Sequence, residues 1–281
     1  MWNQIKTVLL LGILTGILLF IGSFFGQAGL TIAIIIVVLM NGVTYFFSDK
    51  IALMMYRAKE LKKNEHQQFH SIVDELCKEN KMHKPKLYII PSETANAFAT
   101  GRSEKNAAVA CTEGILKLLT KEELKGVLAH ELSHVKNKDI LITTIAATIA
   151  GIISYLAHMA QFAAIFGGIG RDREGGGNVL GFLVLAILTP IIALIIQLAI
   201  SRSREYLADE SGAKMIKDSK PLAKALEKIH NSVKSHPLTF GDRSSASLFI
   251  ANPFKADFFT SILSTHPSLN DRLGRLSKMK F

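Results

Sequence analysis

Charged side chains are absent over three long stretches of this chain, Thr7 to Ser48, Ile140 to Gly170 and Gly175 to Ser201. A helix that crosses a bilayer needs about 20 mostly apolar residues. The first stretch has room for two, broken at Gly26-Gln27-Ala28-Gly29, and predicts helices over Val8–Phe25 and Leu30–Phe47. A cleaved signal peptide is the rival reading of the first helix. Its apolar core is too long for that and no clear A-x-A site follows, so the pattern favours an uncleaved hairpin with Lys6 and Lys50 on one side. Residues 140–170 and 175–201 predict a third and a fourth span, joined by the glycine-rich linker Gly167–Asn178. Pro190 falls inside the fourth, where neighbouring helices can absorb a kink. The expected organisation is a transmembrane hairpin over 1–48, a soluble segment over 49–139, a second hairpin over 140–201 and a second soluble segment over 202–281.

Neither soluble segment has enough apolar residues for a large core alone, so the two are expected to fold as one domain. Ile51 to Asn80 alternates polar and apolar residues at helical spacing. Leu87–Ile90 and Ala107–Cys111 read as strands. Thr120 followed by Glu123 is a capping box that opens a helix running to about Lys136. Gly241–Asp257, rich in Ser, Asn and Phe without a period, reads as a mobile loop.

Composition and charge agree with the spans. Hydrophobic residues make up 49% of the 281, charged residues only 20%, and mean hydropathy is +0.28, which argues against a wholly soluble globule. Two cysteines, Cys77 and Cys111, are too few for a disulfide framework and lack thiolate zinc spacing. The net charge of +10 comes from basic residues that crowd beside the apolar runs, among them Lys50, Arg57, Lys59, Lys62, Lys63, Arg202 and Arg204. That placement suits anionic lipid headgroups, and no base-reading module accompanies it, so nucleic acid is not the expected partner. The two short loops, 26–29 and 167–178, carry two Lys or Arg and the opposite flanks carry many more, so the termini and 49–139 are expected on the cytoplasmic side.

The capped helix contains His130-Glu131-Leu132-Ser133-His134. Residues four apart share a helix face, so the two imidazoles can bind one zinc, and the glutamate between them can reach a water activated there. Zinc enzymes commonly add a carboxylate as third protein ligand. Glu205 and Asp209, in Arg204-Glu205-Tyr206-Leu207-Ala208-Asp209, are also four apart. Two membrane crossings between His134 and Glu205 return the chain to the same side, which lets the segments meet.

These segments resemble the HtpX family of bacterial membrane zinc metalloproteases, relatives of the CaaX-processing membrane protease Ste24 and the mitochondrial protease Oma1. The resemblance rests on His130 through Asp139 and on Glu205 through Asp209, with weaker matches at Asn96-Ala97-Phe98-Ala99-Thr100-Gly101 and Thr265-His266-Pro267-Ser268. It implies a multi-pass, mainly α protein of the bacterial cytoplasmic (inner) membrane. Four transmembrane helices would carry an α+β zincin-like (gluzincin) catalytic domain facing the cytoplasm. The implied activity is zinc-dependent cleavage of misfolded or damaged membrane proteins, in quality control and stress response.

The expected mechanism is hydrolysis with one zinc per chain held by His130, His134 and Glu205, and Glu131 as proton acceptor and then donor. By resemblance His266 or Arg272 steadies the oxyanion. Asp209 is read as holding a ligand histidine, and Arg272 is taken as a further support of the site. Asp139 and Asn137 are either similar supports or simply the end of the helix. The strand around Ala107–Cys111, with Ala108 and Val109, is the expected edge for an extended substrate, and Asn96 lies near it. His158, within the third span, is expected in a wetted structural role near the far interface. A non-catalytic membrane scaffold with a structural zinc is the alternative, and the intact Glu131 disfavours it.

Overall fold

A computed structural model describes residues 26–145, 148–149, 202–254 and 267–281, together with isolated positions between Leu9 and Ser23. The expected third and fourth spans, with Pro190 and His158, lie outside the described residues apart from the start of the third, and so does most of the first span.

Helix α1 (Gly26–Met55) has 30 residues, a length of about 45 Å at the usual rise. Its window Gly26–Val43 has a mean hydropathy of 1.9 and is only 12% buried. Ile32, Ile35, Val38, Leu39 and Phe46 are all exposed. Asn41 Nδ2 donates to Thr15 Oγ1 at 2.9 Å. The last turn differs in character, because Ala52, Leu53 and then Tyr56 are buried in the soluble part.

The helix expected over Ile51–Asn80 is divided. Helix α1 stops at Met55, and Arg57 takes a φ of 53°. A short strand β1 (Lys59–Glu60) follows, and α2 (Gln67–Glu79) begins after His66, whose φ is 46°. Between Arg57 and His66 only Ala58 and Leu61 are apolar. That stretch cannot present a continuous buried stripe, so the chain turns instead.

Strands β2 (Lys86–Ile90), β3 (Ala97–Gly101) and β4 (Ala107–Thr112) complete a four-stranded sheet in the order β1-β2-β4-β3. β2 and β4 are parallel, with Leu87 opposite Val109. β3 runs antiparallel to β4, with Ala99 opposite Val109. One face packs Ala97, Ala99, Val109 and Cys111 on α2, on α4 (Lys121–Lys136) and on α6 (Lys220–Ser235). The other packs Ile90, Phe98, Ala108 and Ala110 on the end of α1 and on Leu238, Leu248, Phe249 and Phe254. Residues from both soluble segments therefore share one core. Helices α3 (Glu113–Leu118), α5 (Arg202–Ile216) and α7 (Leu269–Leu276) complete the described elements.

The stretch expected to be a mobile loop is packed over its described part, 241–254. Arg243–Leu248 form a 3-10 turn, and Ser245, Leu248, Phe249, Ile250 and Phe254 are buried. The Tyr56 ring meets Phe249 edge-on with centroids 4.6 Å apart. The Tyr56 hydroxyl is bonded to Ser245 Oγ and donates to the Asp242 carbonyl. Gly241 (φ +88°) lies so close to that ring that a Cβ would collide with it. The segment has no period because it follows the shape of a gap between helix end and sheet.

Helix α4 starts as its sequence predicts. Thr120 Oγ1 accepts from the Glu123 N–H, and the Glu123 carboxylate accepts from the Thr120 N–H. Thr120→Ala should lower the protein's stability by about 1 kcal/mol, read as a lower thermal midpoint in detergent. An unchanged midpoint would show that tertiary contacts alone hold the start of α4.

Candidate metal centre

His130, Glu131 and His134 sit on the second half of α4, all buried or half-buried. Helix α5 crosses them closely enough that a Cβ on Gly212 would stand 2.8 Å from the His130 backbone nitrogen. Glu205, Asp209 and Gly212 follow i, i+4, i+7 spacing, so one face of α5 carries both carboxylates and the contact that brings them in. One candidate ligand atom from each of His130, His134 and Glu205 lies within 4.8 Å of the others. His130 Nε2 is 3.2 Å from His134 Nε2 and 3.8 Å from Glu205 Oε2, and His134 Nε2 is 3.6 Å from Glu205 Oε1. Bonds of about 2.0–2.2 Å to a tetrahedral ion put its ligands about 3.3–3.6 Å apart, close to this set.

The donor chemistry points the same way. His130 Nδ1 is 2.9 Å from Asp209 Oδ1, and His134 Nδ1 is 3.2 Å from both oxygens of Asp139. A carboxylate accepts only, so each Nδ1 carries the proton and each Nε2 presents a lone pair. Two lone pairs and a carboxylate then converge on one point, which calls for a cation. Charge agrees: Glu131, Asp139, Glu205 and Asp209 are each under a tenth exposed, with Arg272 buried and Arg204 half-buried among them. The carboxylates outnumber the arginines, an imbalance that a bound cation would offset.

Asp139 reaches His134 through the end of its own helix. Lys138 takes a φ of 58°, Asp139 N donates to His134 O, and the carboxylate folds back on the imidazole. Of the two alternatives for Asp139, the geometry is that of a support. Behind His130, Asp209 is gripped by Arg272, with Nε at 2.9 Å from Oδ2 and Nη2 at 2.6 Å from Oδ1. Burial works against the Asp209 charge, but Arg272 and His130 together hold its carboxyl below the usual carboxylate range. Arg272 Nη1 donates to the Ile250 carbonyl at 2.9 Å, so all three nitrogens of the guanidinium make hydrogen bonds. In this arrangement Arg272 supports Asp209.

Burial pushes the Glu131 carboxyl above its ordinary range. His130 and His134 draw it back, Glu205 adds to the rise, and the backbone N–H of Ala99 donates to it. The cavity bounded by Ala99, the two histidines, Glu131, Glu205 and Phe249 measures about 20 Å³, room for a single ion or water.

The structure does not bring every expected residue here. His266 lies outside the described residues, although Ser268 just after it caps α7 by accepting from Asp271 N–H and so sets the helix that carries Arg272. Ala108 and Val109 do not offer an edge: β4 is paired on both sides, by β2 and by β3, and both residues are buried. The run Ala107–Cys111 is apolar on consecutive positions because both its faces are covered, which is the mark of an interior strand. The edge strand beside the cavity is β3, whose Ala99 lines it. Asn96, at the start of β3, is fully buried, and its amide binds the backbone of Ala251. Gly212 and the Ala99 N–H were not singled out in the sequence. The first was detectable from the continued spacing after Asp209; a backbone donor leaves no sequence signal.

Comparison with known proteins places the chain. Residues 63–280 match the model of peptidase family M48. The protease HtpX homolog of Syntrophotalea carbinolica is 48% identical over 278 residues, 99% of each chain. That of Aquifex aeolicus is 52% identical over 269 residues, 94% of this chain and 89% of the relative. That of Thermococcus kodakarensis is 45% identical over 280 residues, 99% and 96%. The crystal structure of S. mikatae Ste24p aligns at a TM-score of 0.49 and 20% identity, covering 98% of this chain, which spans 65% of that protein.

Gly212→Ala should push α5 off α4 and lower metal content at equal folded protein, measured by metal analysis of the purified chain. Unchanged stoichiometry and affinity would show that the contact does not set the ligand distances. With its paired imidazoles, its glutamate and its near full-length relatives, the chain belongs to peptidase family M48 and, within it, to the HtpX metalloproteases.

Proposed function

We propose that this metalloprotease cleaves membrane proteins at the bilayer surface, using zinc held by His130, His134 and Glu205 next to the edge of β3. The observation that carries this reading is the convergence of two Nε2 lone pairs and a carboxylate, each imidazole fixed by its own carboxylate, with Glu131 alongside. When bound, zinc supplies Lewis acidity, which polarises a peptide carbonyl and makes a water more acidic.

The chain's own groups do the rest. Asp209 and Asp139 hold the two imidazoles with their Nε2 atoms inward, and Arg272 holds Asp209. Glu131 accepts a proton from the attacking water at a carboxylate whose basicity burial has raised, and delivers it to the leaving amine. Leu248, Phe249 and Ala99 of the sheet line the cavity on its apolar side and reduce contact with bulk water, which strengthens each of these interactions. An extended substrate lies along β3, where backbone hydrogen bonds tolerate many side chains. The oxyanion partner is assigned to His266, on the strength of the family's His-Pro segment.

Membrane substrates follow from where the domain stands. The exposed apolar length of α1 is suited to a bilayer, and its last turn is buried in the soluble part, which supports a catalytic domain close to the membrane. The three charge-free stretches of the sequence support four spans, and the Lys and Arg distribution supports a cytoplasmic domain. Cleavage of misfolded or damaged membrane proteins, in quality control, is the biological role this arrangement serves.

Glu131→Gln should keep zinc and lose casein hydrolysis by about 10²–10⁴-fold; undiminished cleavage removes Glu131 as the proton carrier. Glu205→Ala should release zinc, and full metal content in that variant removes Glu205 from the ligand set. Single cysteines at Gln27 and at Asn64, in a Cys77→Ala, Cys111→Ala background, should be labelled by an impermeant maleimide from opposite sides of the membrane. Labelling of both from one side overturns the hairpin.

A further inference from the structure

We infer that the segment Phe249–Ala251 is an internal occupant of the substrate's place on β3, so that the structure shows a closed form of the enzyme. This rests on the proposed reading of the site and adds to it how access is controlled. The Ile250 N–H donates to the Ala97 carbonyl at 3.0 Å, on the outer edge of β3. Asn96 Nδ2 donates to the Ala251 carbonyl at 2.7 Å, and Asn96 Oδ1 accepts from the Ala251 N–H at 3.4 Å. All of these contacts read backbone alone. A peptide of any sequence can make them, and none can while Ile250 and Ala251 hold them. Ser247, Leu248, Phe249 and Ile250 line the cavity opposite the candidate ligands, and its volume of about 20 Å³ is too small for the residues on either side of a scissile bond.

The occupant is held from two directions. Arg272, which also fixes Asp209, donates to the Ile250 carbonyl. Tyr56, the residue immediately after α1, packs edge-on against Phe249 and bonds Ser245 and Asp242 through its hydroxyl. The end of the apolar helix is therefore in direct contact with the segment that covers the site, so a shift of that helix bears on access. Turnover requires Phe249–Ala251 to leave the β3 edge before a substrate strand pairs there. The apparent affinity for substrate is then reduced by the fraction of molecules that are open.

Tyr56→Phe keeps the ring and removes the hydroxyl clamp. In the zinc-loaded full chain in detergent it should raise kcat/KM for β-casein about 2- to 10-fold at unchanged zinc content. An equal or lower kcat/KM with zinc retained overturns the proposal. A second measurement leaves the segment unaltered: amide exchange of a peptide spanning 247–251, in zinc-loaded Glu131→Gln, with and without saturating β-casein. Faster exchange with casein is expected, because the Ile250 N–H is released. Slower or unchanged exchange overturns the proposal, since a permanent wall would be covered further or left alone. Zinc content and wild-type casein cleavage, measured in parallel, report separately on the metalloprotease reading itself.

Discussion

The close approach of two helices at Gly212 is the constraint on which the rest depends. Without a Cβ there, the backbone of α5 comes down on the backbone of α4 at His130. The two turns of α5 before the contact then deliver Asp209 to one side of that imidazole and Glu205 to the other. Four carboxylates end up buried in a small volume, with too few cations to balance them. A bound divalent cation would offset that charge, so metal binding at this candidate centre would be coupled to the packing of the two helices.

Around that point the supports form a chain. Arg272 grips Asp209, Asp209 orients His130, and the folded-back Asp139 orients His134. Arg272 also reaches Ile250, which in turn occupies the edge of β3. The same arginine thus joins the support of the candidate metal ligands to the outer edge of β3. Tyr56 joins that edge to the apolar helix. The candidate metal centre, the edge of β3 and the apolar helix are linked by a few specific contacts and not by general proximity.

The site's basic chemistry was legible in local spacing. A capping box placed the start of α4, and i, i+4 spacing placed two imidazoles on one face and two carboxylates on another. Those are helix properties, set within a few residues. The edge strand was not legible. Ala97–Gly101 has five small or apolar residues buried on both faces, with no alternation to mark it. The apolar run in β4 was the stronger strand signal because that strand is interior, which is also why it was a poor choice of edge.

What the sequence by itself determined is the set of elements whose signals are local: the long charge-free runs, the capped helix with its paired histidines, and the carboxylate pair that follows the last apolar run. The tertiary structure alone decided which strand lies at the edge and that Arg272 serves Asp209. It also decided that residues 241–254 are packed and that Ile250 pairs with the outer edge of β3. These depend on backbone hydrogen bonds and on a gap shaped by the end of α1 and the sheet, contacts between residues as far apart as Asn96 and Ala251. No periodicity along the chain encodes such a meeting, because it exists only once the elements have packed.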